Sequence, residues 1–441
     1  MAGKWSFRFV LWYILVLLTQ PHFRFPFLIP FHLGDIAIAG GVGLHVINCM
    51  ENSRPFFFFG PATKLALILM LTGLASHYFN PHQLDTAWNV DIDGIVKVCV
   101  VVILLEAQTD TIYKAVAIMA TTVVGTLWWI KGGVRLASAG MTWGSGDRLM
   151  GANVSIIKNP NDFAYLMVFM IPAYFYFFRI CKNRYLRLFF LGCMGSAAYI
   201  ALETGSRTGF LALATAMALI APVMWKFYKT TLVGAAIAGI LMFSVISGGN
   251  IERFKSIKES ILVIFKQQDT YSEDVSQVDA ESAESRVIKA RAAWSVIIDY
   301  PLMGVGTNPK PRLFEGRENA GGMVHNEILM AGRHMGLPGM AIYLFAVFMP
   351  MVIGLRIHKM AKDYWPEIAA LGLTVFTQAC IVVVGGMFSP SLFHFPHMLM
   401  MTVSAGAYVH LKKLMAMNPG YNQSQTHSPY SPTLATNIPV R

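Results

Sequence analysis

Apolar runs on the scale of a membrane span recur about twelve times along this chain of 441 residues. They lie at roughly 5–19, 33–50, 61–79, 94–106, 112–130, 162–180, 185–202, 208–225, 231–247, 337–355, 367–387 and 394–411. Charged residues make up only 13% of the chain, against ~25% in soluble globular proteins. So little charge cannot coat a soluble surface of this size, so much of the surface must face lipid. The pattern predicts an all-α polytopic membrane protein of about twelve transmembrane helices. The first and fourth runs are short for ~30 Å of hydrocarbon, which leaves a tilted, re-entrant or extended segment open there.

Lys and Arg concentrate in cytoplasmic loops of membrane proteins, which accounts for a formal net charge of +11 without a nucleic-acid partner. No recognition module or long Lys/Arg run is present, so nucleic acid is excluded. Arg179, Lys182, Arg184 and Arg187 follow the sixth run, Lys226 and Lys229 the eighth, Arg356, Lys359 and Lys362 the tenth, and Lys412 and Lys413 the twelfth. The loop at 80–93 carries Asp85, Asp91 and Asp93 with no Lys or Arg, and 388–393 carries no charge. Both termini are therefore expected in the cytoplasm. Lys4 and Arg8 precede the first run without a small-residue cleavage site, the pattern of an uncleaved signal-anchor.

Two exterior segments break the charge rule. Residues 131–161 carry Lys131, Arg135, Arg148 and Lys158, whose presence there is read either as an anion site or as simple tolerance. The stretch 248–336 is the one long hydrophilic loop, and long loops translocate whatever their charge. The chain divides into transmembrane helices 1–9 (residues 1–247), a large periplasmic loop (248–336), helices 10–12 (337–415) and a tail (416–441). That tail is rich in Asn, Gln, Ser, Thr and Pro, a composition that favours disorder.

Walker, HExxH, GxSxG and EF-hand patterns are all missing. The five cysteines fall in apolar runs with no CxxC spacing and read as small hydrophobes. His394 and His397 have metal-like spacing but no neighbouring Cys or carboxylate, so an interfacial role is the better reading.

Three places carry chemistry. Glu203-Thr-Gly-Ser-Arg-Thr-Gly209 joins the seventh and eighth spans. A guanidinium entering a membrane helix is costly and usually functional. Ser206 and Thr208 can cap the incoming helix, whose free N–H groups suit an anion. The alternative is a Glu203–Arg207 ion pair holding a turn. In the long loop, Ser285-Arg286 opens an amphipathic stretch that places Arg286, Lys289 and Arg291 as phosphate ligands or merely on a solvated face, before Pro301-Leu-Met-Gly-Val-Gly306. Third, His325-Asn326-Glu327 puts an imidazole just before the tenth span, with His334 about 180° away if the segment is helical.

Together these segments resemble the O-antigen ligase and polymerase superfamily. Ser206-Arg207-Thr208-Gly209 is like its S-R-[ST]-G, and Arg286 lies about fifteen residues before the P-L-x-G-V-G at Pro301. His325, Asn326, Gly336 and Gly339 meet H-[NSQ], nine residues, then G-x-x-G. Arg148-Leu-Met-Gly and Asn159-Pro-Asn-Asp-Phe-Ala resemble the family's R-x-x-G and N-D-x-A. The motif likeness covers about residues 148–340, and before Arg148 it is hydropathy alone.

The resemblance implies a GT-C-like, metal-independent, inverting glycosyltransferase of the bacterial inner membrane. Its donor would be a glycan on undecaprenyl pyrophosphate, and its site would be periplasmic. It needs no cofactor and no metal. Arg207 and Arg286 would hold the pyrophosphate, and a neutral His325 would take the acceptor's proton. Glu327 is a second choice of base. Arg148, Ser206, Arg291, Asn326 and Glu327 would contact substrate. Lipid A core ranks first as acceptor, another glycan repeat second and a protein hydroxyl third. The rival outside enzymes is a transporter or flippase, which would place its charges at mid-membrane in broken, repeated helices.

Overall fold

The computed structural model describes residues 2–58, 60–85, 90–139, 149, 159–243, 277–314, 324–387 and 395–417. Arg148, His394, the first part of the 248–336 loop and nearly all of the tail lie outside them. Among the described residues the chain is all-helical. Its helices are α1 (Ala2–Thr19), α2 (Pro21–Arg24), α3 (Leu33–Glu51), α4 (Pro61–Tyr78), α5 (Val90–Gln108), α6 (Ile112–Ser138) and α7 (Pro160–Ile180). There follow α8 (Arg184–Glu203), α9 (Arg207–Phe227), α10 (Lys229–Phe243), α11 (Gln277–Asp299), α12 (Glu327–Ala361), α13 (Pro366–Gly386) and α14 (Phe395–Met417).

Over its described residues every apolar run of the sequence falls on one of these helices, and among the described residues eight segments are long and apolar enough to cross a membrane. The two short runs extend at their ends into full helices of 18 and 19 residues. At ~1.5 Å per residue each approaches the ~30 Å of hydrocarbon.

Helix boundaries follow from local chemistry. Pro occupies the first turn of α4, α7 and α13, where its missing N–H costs nothing. Asn159, Asn183, Ser206 and Asn326 cap α7, α8, α9 and α12 through their side-chain oxygens. The start of α4 is capped from another helix: the buried Glu106 carboxylate on α5 accepts Ala62 N at 3.2 Å and Thr63 N at 2.5 Å.

The bundle is built around α7, which is buried without a break from Phe163 to Phe178. A helix apolar all round must sit inside. Pro172 leaves the Val168 carbonyl without its helical donor, and one residue along, Gln378 on α13 donates to Phe169 O at 3.2 Å. Next to α7, α12 and α13 cross with their backbones in contact: a Cβ on Gly354 would lie 2.7 Å from Gly372 O, and one on Gly372 would lie 2.7 Å from Gly354 O. Small residues permit such close approach where no water drives helices together.

Candidate active site

The candidate residues gather at one end of the bundle, where α4, α8 and α13 finish and α7, α9 and α12 begin. There Ser206 Oγ accepts from Gly209 N at 3.0 Å, the cap of α9, and donates to Asn161 Oδ1 at 2.8 Å. Asn161 is itself held, its N–H donating to Asn159 Oδ1 at 2.8 Å. A Cβ on Gly209 would come within 2.5 Å of the Ala164 methyl. The Asn159–Ala164 and Ser206–Gly209 motifs are thus two halves of one packed joint. The product of that joint is the position of Arg207, partly exposed at the first residue of α9.

A second joint binds the Pro301–Gly306 turn to α12. Helical dihedrals fail at Gly336 (φ 69, ψ −168), a region essentially restricted to glycine, so α12 is two helices meeting at a kink. The kink turns carbonyls outward, and the turn takes them: Val305 N donates to Arg333 O at 2.9 Å and Gly306 N to His334 O at 3.1 Å. In return Leu337 N donates to Pro301 O at 2.7 Å. Gly304 (φ 61) lies so close that a Cβ would meet Arg333 O at 2.3 Å.

The end of α4 secures this turn from the other side, a partnership with no motif in the sequence. Ser76 Oγ donates to His334 O at 2.6 Å, and Asn80 Nδ2 reaches Met303 O at 3.1 Å and Gly304 O at 2.9 Å. Beyond them, Leu84 N donates to Asn308 O and Lys310 N to His82 O, a short antiparallel pairing. His77 Nδ1 and Thr307 Oγ1 lie 3.0 Å apart in the same buried patch.

His325 follows directly on this scaffold. It precedes α12, whose cap Asn326 accepts Leu329 N at 3.0 Å and donates to Met387 O at 3.4 Å, tying the start of α12 to the end of α13. Asn326 therefore commits its carboxamide to placing its neighbour. His325 is partly buried, and its Nδ1 has no hydrogen-bond partner among the described residues. Burial first, then the Arg286 and Lys289 cations, push its pKa below the ordinary imidazole value.

Arg286 and Lys289, one helical turn apart on α11, thus lie within electrostatic reach of the imidazole. Arg286 is itself held below the usual guanidinium value by burial and by the charge of Arg207. Among the described residues no carboxylate pairs with Arg286. Electrostatic reach links Arg207 to Arg286, and Arg286 and Lys289 to His325. Arg291 is exposed on α11 and shares none of these interactions. Glu327 is fully buried, with Oε2 3.4 Å from His397 Nε2. Helicity starts at Glu327, so the 180° separation expected of His325 and His334 does not apply. His334 is buried instead, its Nε2 3.2 Å from Arg333 Nη2.

Among the described residues there are thus eight candidate membrane spans and, at one end of the bundle, a half-buried imidazole within electrostatic reach of two α11 cations. Residues 192–344, from α8 into α12, match the family described as O-antigen ligase. Over that segment, about a third of the chain, the sequence is similar to the O-antigen ligase and polymerase superfamily of membrane glycosyltransferases. The matched segment contains Arg207, Arg286, the Pro301–Gly306 turn and His325, and stops short of Asn159–Ala164. No curated protein matches the chain.

Proposed function

We propose that this protein is an O-antigen ligase-type glycosyltransferase that moves a glycan from undecaprenyl pyrophosphate to lipid A core. The observation that carries the reading is that Arg286 lies within electrostatic reach of both Arg207 and His325. Two cations brought together in a partly desolvated place favour an anion between them. Cleavage of the sugar–pyrophosphate bond develops negative charge on the leaving phosphate, which fixed guanidiniums stabilise without reorganising. Arg207 and Arg286 hold that leaving group, with Lys289 adding charge. His325, kept neutral by burial and by the charges of Arg286 and Lys289, takes the acceptor hydroxyl's proton as the oxygen attacks the anomeric carbon from the opposite face, inverting it.

In this reading the protein lies in the bacterial inner membrane with twelve spans, both termini cytoplasmic and the site periplasmic. Arg148 and Arg291 contact the donor's glycan or phosphates. Polymerisation of lipid-linked repeats and transfer to a protein hydroxyl share the same donor chemistry and differ only in acceptor. A thiol label on Leu302→Cys, 78% exposed beside the site, should react from the periplasmic side. Reaction from the cytoplasm alone refutes the topology.

The deciding experiment is purified protein in liposomes with undecaprenyl-pyrophosphate glycan and a panel of lipid A core, lipid-linked repeat and protein acceptors. Transfer to lipid A core, undiminished by EDTA, is the expected result. Transfer only to another acceptor reassigns the enzyme within its superfamily. Loss in EDTA with recovery in Mg²⁺ overturns the metal-independent mechanism.

A further inference from the structure

At the end of the bundle away from the candidate site, α7 and α9 finish and α8 begins, and there four aromatic rings and two guanidiniums form one cradle. Phe175 and Phe178 on α7 stack with centroids 6.2 Å apart, and Phe178 meets Tyr228, just after α9, edge-on at 5.1 Å. Phe227 adjoins Tyr228 at 6.5 Å. Arg179 Cζ lies 5.8 Å from the Phe175 centroid and 5.9 Å from that of Phe227. Arg187 Cζ, from α8, lies 5.0 Å from the Phe178 centroid and 5.4 Å from that of Tyr228. Two arginines from different helices are thus seated on one aromatic surface.

Ring faces attract a guanidinium but do not cancel its charge. Lys182, Arg184, Lys226 and Lys229 lie on the same two turns, and from residue 163 to 251 the single carboxylate is Glu203, at the other end of α8. Among the described residues none of these six cations forms an ion pair, and Asp363 and Glu367 at the nearby α12–α13 turn are exposed. Arg187 Nε is enclosed by protein and has no hydrogen-bond partner among the described residues. A partly desolvated guanidinium without a counter-charge is costly, and an anion from outside the chain removes that cost. A basic turn that merely obeys the charge rule of membrane loops needs neither the rings nor the enclosure.

Arg179 also stands at the surface end of a narrow apolar cleft between α7, α9 and α13. Phe175, Ile220 and Leu373 line it, and it runs inward to Pro172 and Thr377. From Arg179 to Pro172 is about 10 Å along the helix, at ~1.5 Å per residue. The Thr377 hydroxyl donates to Leu373 O within its own helix, and Thr374 does the same to Ala370 O. The cleft therefore suits a hydrocarbon chain.

We propose that this end of the bundle is a specific site for an acidic phospholipid: Arg179 and Arg187 hold its phosphate, and an acyl chain enters the cleft between α7, α9 and α13. A guanidinium over a ring spends its face and keeps in-plane N–H groups, which match phosphate oxygens in pairs. Basic pockets between helices at the cytoplasmic surface take anionic headgroups in this way. A lipid rather than free phosphate is the occupant because Arg179 belongs to both the cradle and the cleft. Bound there, it steadies the far end of α7, whose near end carries the Asn159–Ala164 joint. The site stands apart from the transfer chemistry, and only its place in the cytoplasmic leaflet rests on the topology proposed above.

The test uses the full chain purified in detergent and titrated with phosphatidylglycerol, phosphatidylcholine or inorganic phosphate. Phosphatidylglycerol should raise the thermal midpoint and stay attached in native mass spectra, and the other two should do neither. Arg179→Gln and Arg187→Gln should each weaken phosphatidylglycerol binding roughly 10-fold or more. Leu373→Trp, which fills the cleft and leaves both charges, should weaken it as well. Lys412→Gln is the control: it removes a cation 4.6 Å from the Tyr408 ring at the same end of the bundle, and should bind as wild type. Equal weakening in Lys412→Gln marks diffuse attraction to a basic surface and overturns the site. Equal stabilisation of the wild type by phosphatidylcholine overturns it too, a result that needs no variant to fold. Inorganic phosphate matching the lipid's effect overturns the lipid as occupant, and wild-type binding in Leu373→Trp overturns the seat of its chain.

Discussion

Ser206 and Asn161, 45 residues apart, share a hydrogen bond of 2.8 Å that ties the start of α9 to the start of α7. The same hydroxyl caps α9, so one side chain sets both the direction of the helix and the place of the guanidinium that follows. Ser206→Ala should cost about 0.5–2 kcal/mol, the usual worth of an N-cap, and lower the thermal midpoint in detergent. An unchanged midpoint would show that the cap carries no stability.

The kink in α12 makes a sharper claim. Gly336→Ala puts a methyl in a glycine-only region of backbone and within 2.4 Å of Pro301 O. It should destabilise by at least ~1–3 kcal/mol and impair transfer, since the Pro301–Gly306 turn loses its seat. Gly192→Ala, in open space on helical α8, should be neutral or stabilising by up to ~1 kcal/mol. Similar melting of the two variants would contradict the docked kink.

Asn80 lies far outside the matched segment, yet its carboxamide holds two carbonyls of the Pro301–Gly306 turn. Asn80→Ala leaves buried polar groups without partners and should cost ~1–3 kcal/mol. Limited proteolysis near residue 303 reports the loosened turn. Wild-type resistance would mean the turn is held by α12 alone.

Lys289 supplies the pH prediction. Its charge helps to depress the His325 pKa, so the neutral base persists to lower pH than an ordinary histidine. Removing that charge in Lys289→Ala should raise the pKa and move the acid limb of kcat/KM upward in pH. A downward shift would show that Lys289 acts on another group.

The division of labour is tested by substitution. His325→Ala should cut turnover by roughly 10²–10⁴-fold while donor binding holds. Arg207→Lys and Arg286→Lys should rescue poorly, since an ammonium lacks the bidentate fork. His334→Ala is no inert control, because that imidazole is buried against Arg333. Exposed Ser295 on α11 serves instead, and Ser295→Ala should retain full activity. Equal loss in Ser295→Ala and His325→Ala would mark the region as structurally fragile rather than chemically specific.

Helices were legible in the sequence because their signal is local: apolar runs, Pro in first turns and Asn or Ser caps announce themselves residue by residue. The Ser206–Gly209, Arg286 and His325 motifs were legible for a similar reason, being short and in order. What joins them was not. Asn80 meets Gly304 across 224 residues through a side chain on backbone carbonyls, an interaction without periodicity. The Glu327–His397 contact was hidden because an i, i+3 histidine pair draws attention to metal, whereas the structure pairs His397 with a carboxyl and a phenol on α12. Asn326 reads in sequence as a substrate contact, and its geometry shows a helix cap.

The bonds between the end of α4 and the Pro301–Gly306 turn also impose an order on biogenesis. Ser76 must wait for Met303, 227 residues later in the chain. At ~5–20 residues per second that is roughly 10–45 s of synthesis. For that interval Ser76, His77, Asn80 and Gln83 stand without their final partners. A chain that stops before the turn leaves the end of α4 without the carbonyls and hydroxyl it holds in the finished protein, so the two ends of this joint are completed together or not at all.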